Sequence, residues 1–316
     1  MKIISNCDLS GAPDAVATLE ELGQVLCLGD DRDRTLAEIG DCDAVMAYPT
    51  VRIDRELLDR APNLKLVGSP HTGRDHLDQN FLAERGITLF HIAEEYDLLN
   101  SFSATSEMAF SLLLSVVRKI PQAFEAAKQG HWQREKFAGF QLLGKTLGIL
   151  GLGRLGGISA HIGQGFGMNV IANDIREVSV ASVEMVDFHT LLERSDVLSI
   201  HIHLNNETEG LIDAPAIARM KQGAIILNTS RGRIIDEAAL LAGLESGHLG
   251  GAGLDVIDGE WLSDDERVRH PLVDYSRQHG NLVIVPHIGG STTESIYGAR
   301  IFMAKKMTAW LGASKD

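Results

Sequence analysis

The chain has 316 residues, of which 44% are hydrophobic and 23% are charged, and its formal net charge is −14 at pH 7. This composition indicates a folded globular protein, and the length allows two domains. The negative charge would repel a nucleic-acid backbone and no long Lys/Arg run offsets it, which argues against nucleic-acid binding.

The amino terminus, MKIISNCDLSGAPDAV, lacks an apolar run of signal-peptide length, and no stretch reaches the ~18 apolar residues of a membrane span. We therefore expect a cytoplasmic protein without membrane contact. The three cysteines are Cys7, Cys27 and Cys42. They form no C-x-x-C pair, and reduced thiols are expected.

Short apolar runs alternate with amphipathic stretches in the first third of the chain. The runs are KIIS, QVLCLG, DAVMAY, KLVGS and ITLFHI, and segments such as PDAVATLEELG and IDRELLDRAP separate them. This alternation predicts a parallel sheet covered by helices. We place this α/β unit at about Met1 to Leu99.

The next stretch, SATSEMAFSLLLSVVRKIPQAFEAAKQG, predicts one long helix. Ser/Thr residues can cap its start, Glu107 follows them, and the sequence is apolar nearly all round through Val117. The apolar part is too short to span a bilayer. We expect it to be buried between domains or between subunits.

The most informative segment is GKTLGILGLGRLGGISAHIGQGFGMNVIANDIR. An apolar strand, Thr146 to Leu150, leads into G-x-G-x-x-G, a helix follows, and a second strand, Asn169 to Ala172, runs toward Asp174. The three-glycine motif alone is a weak signal. Here the strand, the helix and the following acid complete the context of a dinucleotide-binding site.

Each glycine has a distinct role in that context. Gly151 allows the tight turn, Gly153 lets a pyrophosphate approach the backbone, and Gly156 lets the helix pack on its strand. Asp174 can accept hydrogen bonds from a ribose diol and would repel a 2′-phosphate, which favours NAD. Arg176 could be recruited to a phosphate, so NADP stays the less favoured alternative.

Four later segments end their apolar runs in polar or glycine residues, where an open α/β sheet carries its site. They are DVLSIHIHL, GAIILNTSRG, LGGAGLDVIDGE and NLVIVPHIGGSTTES. Arg231 can grip a carboxylate, His287 can titrate near neutral pH, and Glu260 can pair with the imidazole. A nicotinamide enzyme needs such a cation and such a proton donor, whereas each residue alone would be an ordinary loop side chain.

Over nearly its full length the sequence resembles the D-isomer-specific 2-hydroxyacid dehydrogenases, a family that includes phosphoglycerate, glyoxylate/hydroxypyruvate, D-lactate and formate dehydrogenases. GKTLGILGLGRLG, NTSRGRIIDEAALLAGLESGHLGGAGLDV and PHIGG carry the resemblance. It implies an α/β fold of two Rossmann-like domains. An NAD-binding domain, residues 101–290, would be inserted into a discontinuous flavodoxin-like substrate-binding domain, residues 1–100 and 291–316. It also implies a homodimer formed largely through the NAD-binding domains, which would explain the apolar helix from Ser106 to Ile120.

The resemblance also implies roles for single residues. Arg231 would bind the carboxylate and carbonyl oxygen of a 2-oxo acid, and His287 would protonate that oxygen as NADH delivers hydride. Glu260 would hydrogen-bond His287, raise its pKa and keep the acid form available. Besides the three glycines and Asp174, the implied cofactor contacts are Thr105, Arg154, Leu155, Thr229 and Asp255.

The stretch GSPHTGRDHLD, Gly68 to Asp78, is the expected substrate loop. The resemblance implies that backbone N–H groups at Thr72 and Gly73 meet the carboxylate that Arg231 binds from the other side.

Four further side chains of this loop divide into two pairs. His76 and Asp78 are expected to support the loop. His71 and Arg74 are unusual for the family, and we hypothesise that one of them recognises a second negative or polar group of the substrate.

Two other features depart from the family pattern. Trp261 follows Glu260 where proline is frequent, and it could either shape the pocket or pack on the surface. His201 and His203 in SIHIHL alternate along a strand and could suggest a metal site. The family has a histidine at the first of these positions, so we expect no metal.

Three classes of function are compatible with these motifs. The leading one is an NAD-dependent 2-hydroxyacid dehydrogenase acting on a small anionic substrate such as hydroxypyruvate, glyoxylate or 3-phosphoglycerate. The second is a non-catalytic NAD(H)-sensing partner protein, similar to corepressors that retain the fold. The third, an S-adenosylmethionine or adenosylhomocysteine enzyme, is disfavoured by NTSRG and PHIGG.

Overall fold

The computed structural model describes residues 1–260 and 262–313, which form two α/β units. The first unit consists of Met1–Phe102 and the chain from Ser291 onward, and the second is Ser103–Gly290. One unit is thus inserted into the other, as the expected fold class requires. The expectation for Trp261 lies outside the described residues.

All strands of the described chain belong to two parallel sheets. The strands are β1 (Lys2–Ser5), β2 (Gln24–Cys27), β3 (Ala44–Met46), β4 (Leu66–Ser69), β5 (Thr88–His91), β6 (Thr146–Leu150), β7 (Asn169–Asn173), β8 (Glu184–Met185), β9 (Val197–Ile200), β10 (Ala224–Asn228), β11 (Leu249–Leu254) and β12 (Leu282–Ile284).

Helices cover both sheets. They are α1 (Pro13–Glu20), α2 (Arg32–Glu38), α3 (Arg55–Asp59), α4 (Gln79–Glu84), α5 (Tyr96–Leu99), α6 (Ala104–Val117), α7 (Ile120–Lys128), α8 (Arg154–Gly165), α9 (Phe188–Arg194), α10 (Ala214–Arg219), α11 (Glu237–Glu245), α12 (Asp264–Arg267), α13 (Pro271–Gln278) and α14 (Thr293–Ala313). Within residues 1–260 and 262–313, none of them combines the length and the apolar character that a membrane span needs.

The sheet of the first unit has the strand order β2-β1-β3-β4-β5, which is the flavodoxin-like order. Strands β3 and β4 are buried along their whole length, as expected for strands covered on both faces. Helix α14 returns from the end of the chain and packs against β4. A Cβ on Gly68 would lie 2.5 Å from the sulfur of Met307, so a larger residue there would require the methionine side chains of α14 to shift.

The sheet of the second unit has the order β12-β11-β10-β9-β6-β7-β8. Strand β6 lies between β7 and β9, and the order reverses there, since β7 and β8 extend to one side and β9 to β12 to the other. Ligands of doubly wound sheets bind beyond the carboxyl ends of the strands at such a reversal. The turn that follows β6 is therefore the expected ligand position of this unit.

The predicted long helix from the central apolar stretch is two helices, which corrects that expectation. Lys119, between α6 and α7, has a left-handed φ of 51°, and Pro121 lies in the first turn of α7. Proline fits a first turn but not a helix interior, because it lacks the N–H group and clashes with the preceding turn.

Helix α6 is buried as expected, but the place where it is buried differs from the expectation. Its buried side chains, among them Phe110, Leu112 and Leu113, join the core formed with β6, β10 and α8 of the same unit. The apolar character of α6 is thus explained inside the second unit, and it requires neither a domain boundary nor a subunit contact.

Candidate active site

The glycine turn after β6 is shaped by contacts within the protein at two of its three glycines. Gly151 has a φ of 94°, and a Cβ there would lie 2.8 Å from the carbonyl oxygen of His201. A Cβ on Gly156 would lie 2.0 Å from the carbonyl oxygen of Gly151. The turn and the packing of α8 against it therefore both require glycine.

Gly153 is different, because packing does not explain it. Among the described residues, the nearest atom to a Cβ built on Gly153 is Nη2 of Arg176, 3.4 Å away. Gly153 directly precedes the twelve-residue helix α8, whose first N–H groups have no partner within the helix. A glycine that packing leaves unexplained at this point fits a site where a phosphate group approaches the backbone.

Asp174 follows β7 and is tied to the same turn. Its Oδ2 accepts a hydrogen bond from the backbone N–H of Leu152 at 2.8 Å. Arg176 donates to both carboxylate oxygens, from Nε and from Nη2, each at 3.0 Å. The hydrogen bonds from Arg176 outweigh burial and lower the pKa of Asp174, so the carboxylate is ionised.

Glu260 and His287 form a direct pair in the second unit. Oε2 of Glu260 lies 2.9 Å from Nδ1 of His287, and the two side chains are 17% and 36% exposed. Burial lowers the pKa of His287, but the hydrogen bond and charge of Glu260, together with the charge of Asp255, outweigh it. The net shift is upward, although the positive charge of Arg231 opposes it. The arrangement favours imidazolium, as an acid for reduction needs.

Asp255 anchors the turn that carries His287. This carboxylate is 1% exposed, and its two oxygens accept from the backbone N–H groups of Ile288 at 2.7 Å and Gly289 at 2.8 Å. Burial raises the pKa of Asp255 despite these hydrogen bonds. Thr105 lies beside the same turn, since a Cβ on Gly289 would be 3.5 Å from its Cγ2. The family resemblance implies cofactor contacts for Asp255 and Thr105, but it did not reveal that Asp255 anchors the turn of His287.

Arg231 lies in a turn after β10 that the buried Asn228 holds. The Asn228 side chain donates to the carbonyl of Arg231 at 2.8 Å and accepts from the N–H of Ser230 at 3.0 Å. Nη1 of Arg231 donates to the carbonyl of Ser230 at 2.7 Å. Sequence reasoning missed Asn228, although an asparagine at the end of an apolar strand is a usual signal for a turn.

The remaining predicted cofactor residues lie in the same unit. Arg154 and Leu155 begin α8, and Thr229 is buried in the turn that Asn228 holds. Oγ of Ser106 donates to the carbonyl of Leu155 at 2.9 Å, which ties α6 to the start of α8.

In the first unit, the loop from Gly68 to Asp78 connects β4 to α4. The carbonyl of His76 accepts from the N–H of Ile53 at 2.8 Å, and the ring of His76 is buried. Oδ1 of Asp78 accepts from the N–H of Phe81 at 3.0 Å and caps α4. Before these fixed points in the loop, Thr72 is exposed and Gly73 is half-buried.

The two unusual side chains of the loop have different surroundings. The His71 ring packs edge-on against Tyr48, with ring centres 5.3 Å apart. Arg74 is exposed, and its Nη1 lies 3.4 Å from Nε2 of His91 at the end of β5. Burial and the charge of Arg74 lower the pKa of His91. Arg74 therefore faces another nitrogen base, which sequence reasoning did not connect with the loop.

The two histidines after β9 are not equivalent. Nε2 of His201 lies 2.8 Å from Oγ of Ser199, and burial lowers the pKa of His201 to about 4. His203 is exposed. Within the described part of the chain, no group of three or more His, Cys, Asp or Glu side chains is arranged to hold a metal ion.

Comparison with known proteins points to one family. Residues 110–289 match the model of the D-isomer specific 2-hydroxyacid dehydrogenase, NAD binding domain. The D-3-phosphoglycerate dehydrogenase of Archaeoglobus fulgidus is 36% identical over 281 residues, which are 88% of this chain and 51% of that protein. The glyoxylate reductase of Thermococcus litoralis is 35% identical over 286 residues, 87% of this chain and 82% of that protein.

A solved structure shares the whole fold. The D-lactate dehydrogenase of Aquifex aeolicus, complexed with NAD and lactic acid, has a TM-score of 0.84 and 25% identity, covering 99% of this chain and 96% of that chain. The present chain spans about half the length of the phosphoglycerate dehydrogenases that it matches.

Proposed function

Since this chain belongs to the D-isomer specific 2-hydroxyacid dehydrogenase family, we propose that it interconverts a small D-2-hydroxy acid and its 2-oxo acid with NAD(H). The observation that carries the proposal is the 2.9 Å pair of Glu260 and His287 in the unit that also contains the glycine turn. An acid with a raised pKa is what carbonyl reduction requires near neutral pH.

The proposed reaction assigns one task to each side chain. Arg231 binds the substrate carboxylate through its guanidinium, whose planar donors match a carboxylate. His287, with Nδ1 bound to Glu260, gives a proton to the carbonyl oxygen from Nε2 and takes it back in the oxidation direction. When bound at the glycine turn, a nicotinamide cofactor would supply the hydride for reduction of the carbonyl carbon and would receive it in the oxidation direction.

The glycine turn and Asp174 fit a dinucleotide. Gly153 would admit a phosphate group to the start of α8. The ionised Asp174 would accept from a ribose diol in place of the side chain of Arg176, which is 61% exposed. We propose NAD over NADP, because a carboxylate at this position opposes a 2′-phosphate. The residues that would hold the cofactor are Thr105, Gly151, Gly153, Arg154, Leu155, Gly156, Asp174, Thr229 and Asp255.

The substrate is proposed to be a small anion such as hydroxypyruvate, glyoxylate or 3-phosphoglycerate. The N–H groups at Thr72 and Gly73 would contribute to carboxylate binding. His71 and Arg74 are the candidates for a second negative or polar group. The exposure of Arg74 supports its candidacy, because an exposed guanidinium can donate charge-assisted hydrogen bonds to an anion.

We propose a homodimer whose contact lies in the segment after α6, instead of on the apolar helix itself. Several of the exposed apolar side chains lie in the segment that follows α6, among them Phe124 at 62%, Trp132 at 83% and Leu143 at 72% exposure. Exposed apolar side chains concentrated in one segment are a candidate contact surface. This segment belongs to the second unit, which agrees with a dimer formed through the cofactor-binding domains.

The test of the function is a panel of 2-oxo acids, with NADH and NADPH consumption followed by absorbance. We expect turnover of at least one acid with NADH. Binding of NADH without turnover of any acid would instead favour the non-catalytic, NAD(H)-sensing alternative.

A further inference from the structure

A pair of half-buried side chains supports the segment that carries Glu260, and no motif pointed to it. Glu237 begins α11 and His270 precedes α13, and their Oε2 and Nε2 atoms lie 3.0 Å apart. The side chains are only 17% and 11% exposed. Burial raises the pKa of Glu237. Burying such a pair costs free energy of desolvation, so its bonding partners are informative.

Each member of the pair also binds a backbone N–H group. Oε1 of Glu237 accepts from the N–H of Asp258 at 2.8 Å, two residues before Glu260. Nδ1 of His270 accepts from the N–H of Leu272 at 3.3 Å and caps α13. Because Nδ1 is an acceptor, the ring proton lies on Nε2 and is donated to Glu237. The pair thus connects the starts of two helices to the backbone of the Glu260 segment.

The same segment has fixed points on either side. A Cβ on Gly232 would lie 2.1 Å from the carbonyl carbon of Ile257, so the two backbones are in direct contact. The carbonyl of Glu260 accepts from Nη1 of Arg267 at 2.6 Å. Between them Gly259 has a φ of 80°, where the chain turns sharply and the direction of the following residue depends on how the turn is held.

We propose that Glu237 and His270 are positioning residues, which hold the amide of Asp258 so that the Glu260 carboxylate stays against His287. This inference rests on the proposed function, in which His287 is the acid. Without the pair, the Glu260 carboxylate would form its hydrogen bond with His287 for a smaller fraction of the time. The imidazolium would then be less favoured, and reduction would fail at a lower pH than in the unaltered protein.

The experiment compares three variants with one control. Glu237→Ala removes the acceptor for Asp258, and Glu237→Gln keeps one carbonyl oxygen for it. His270→Asn breaks the pair while retaining a residue that caps helices well. The control is Glu245→Ala, since Glu245 lies exposed at the other end of α11.

Two readouts separate positioning from general destabilisation. We expect Glu237→Ala to shift the pH midpoint of reduction downward and to lower kcat/KM on the order of tenfold, as a small misplacement of a catalytic group does. Glu237→Gln and His270→Asn should shift the pH midpoint less. KM for NADH should stay unchanged in all variants, and Glu245→Ala should match the unaltered protein in every readout. A folded Glu237→Ala with an unshifted midpoint overturns the inference, whatever its activity. If it does not fold, His270→Asn decides by the same criterion.

A titration of the His287 ring by NMR tests the same point without turnover. In Glu237→Ala or His270→Asn the ring should lose its proton at a lower pH, and an unchanged titration overturns the inference. If the unaltered protein reduces no 2-oxo acid, the proposed function fails, while this titration still decides whether the pair positions Glu260.

Discussion

Oε2 of Glu260 lies 2.9 Å from Nδ1 of His287, so a loop after β11 directly contacts the turn after β12. His287 has a left-handed φ of 52°, which is uncommon for a residue with a side chain. Asp255 holds that conformation by accepting from the two following N–H groups. The carboxylate of Glu260 therefore favours the charged imidazole of His287, and the carboxylate of Asp255 fixes the backbone that carries it.

Glu260→Gln should move the loss of reduction to lower pH. The pKa of His287 is raised, so the imidazolium persists to a higher pH than in a free histidine and is lost as pH rises through that pKa. Glutamine is neutral, so the substitution removes the main effect that opposes burial, and the pKa of His287 falls. A pH profile of kcat/KM for the best 2-oxo acid measures the shift. An unmoved midpoint in a folded variant contradicts the role of Glu260.

His287→Ala should lower kcat by about 10²- to 10⁴-fold, the usual contribution of a positioned acid. NADH binding, measured by fluorescence titration, should persist, because the glycine turn is unaltered. His248→Ala is a suitable control, since His248 lies on the loop before β11 and hydrogen-bonds the carbonyl of Ile217. Near-normal activity in His287→Ala would show that the proton comes from elsewhere.

Asp174→Asn should reduce the preference for NADH over NADPH by roughly tenfold, because it removes the charge that opposes a 2′-phosphate and weakens hydrogen bonds to the diol. The amide oxygen can still accept from Leu152, so the turn should remain folded. The ratio of kcat/KM for the two cofactors is the measurement, with the exposed Glu177→Gln as control. A protein that already prefers NADPH before substitution would refute the NAD assignment.

Arg74→Ala should weaken turnover of acids with a second negative group more than turnover of acids without one. We expect about a tenfold rise in KM for the first class, the size of one lost charge-assisted hydrogen bond. His71→Ala is measured in parallel, and the exposed Arg34→Ala controls for net charge. An unchanged ranking of the substrate panel in both loop variants would rule out a role for either side chain in specificity.

Phe124→Ser combined with Trp132→Ser should convert a dimer into monomers, because both side chains leave a large apolar area exposed on the single chain. Light scattering after size-exclusion chromatography gives the mass directly. Met185→Ser changes an exposed apolar residue on β8 and should leave the mass unchanged. A monomeric unaltered protein, or a variant that stays dimeric, would contradict the proposed surface.

The fold class was accessible from sequence because its signals are local. Apolar runs separated by amphipathic segments predicted parallel sheets, and the glycine motif between a strand and a helix identified the dinucleotide-binding unit. The break between α6 and α7 had a local signal too, in Pro121, but the continuous apolar pattern before it suggested a single helix. The elements that bury the apolar side chains of α6 could not be predicted locally, because they depend on which strands lie beneath the helix.

The sequence by itself determined the α/β class, the glycine turn with Asp174, and the set of Arg231, Glu260 and His287 as candidates, since each follows an apolar run and motif spacing is written in the chain. Only the tertiary structure decided how they are held. The order of β10, β11 and β12 makes their following loops neighbours, and this order is set by packing between distant segments. The anchoring by Asp255 and the support from Glu237 and His270 are products of that packing, so no local pattern could have revealed them.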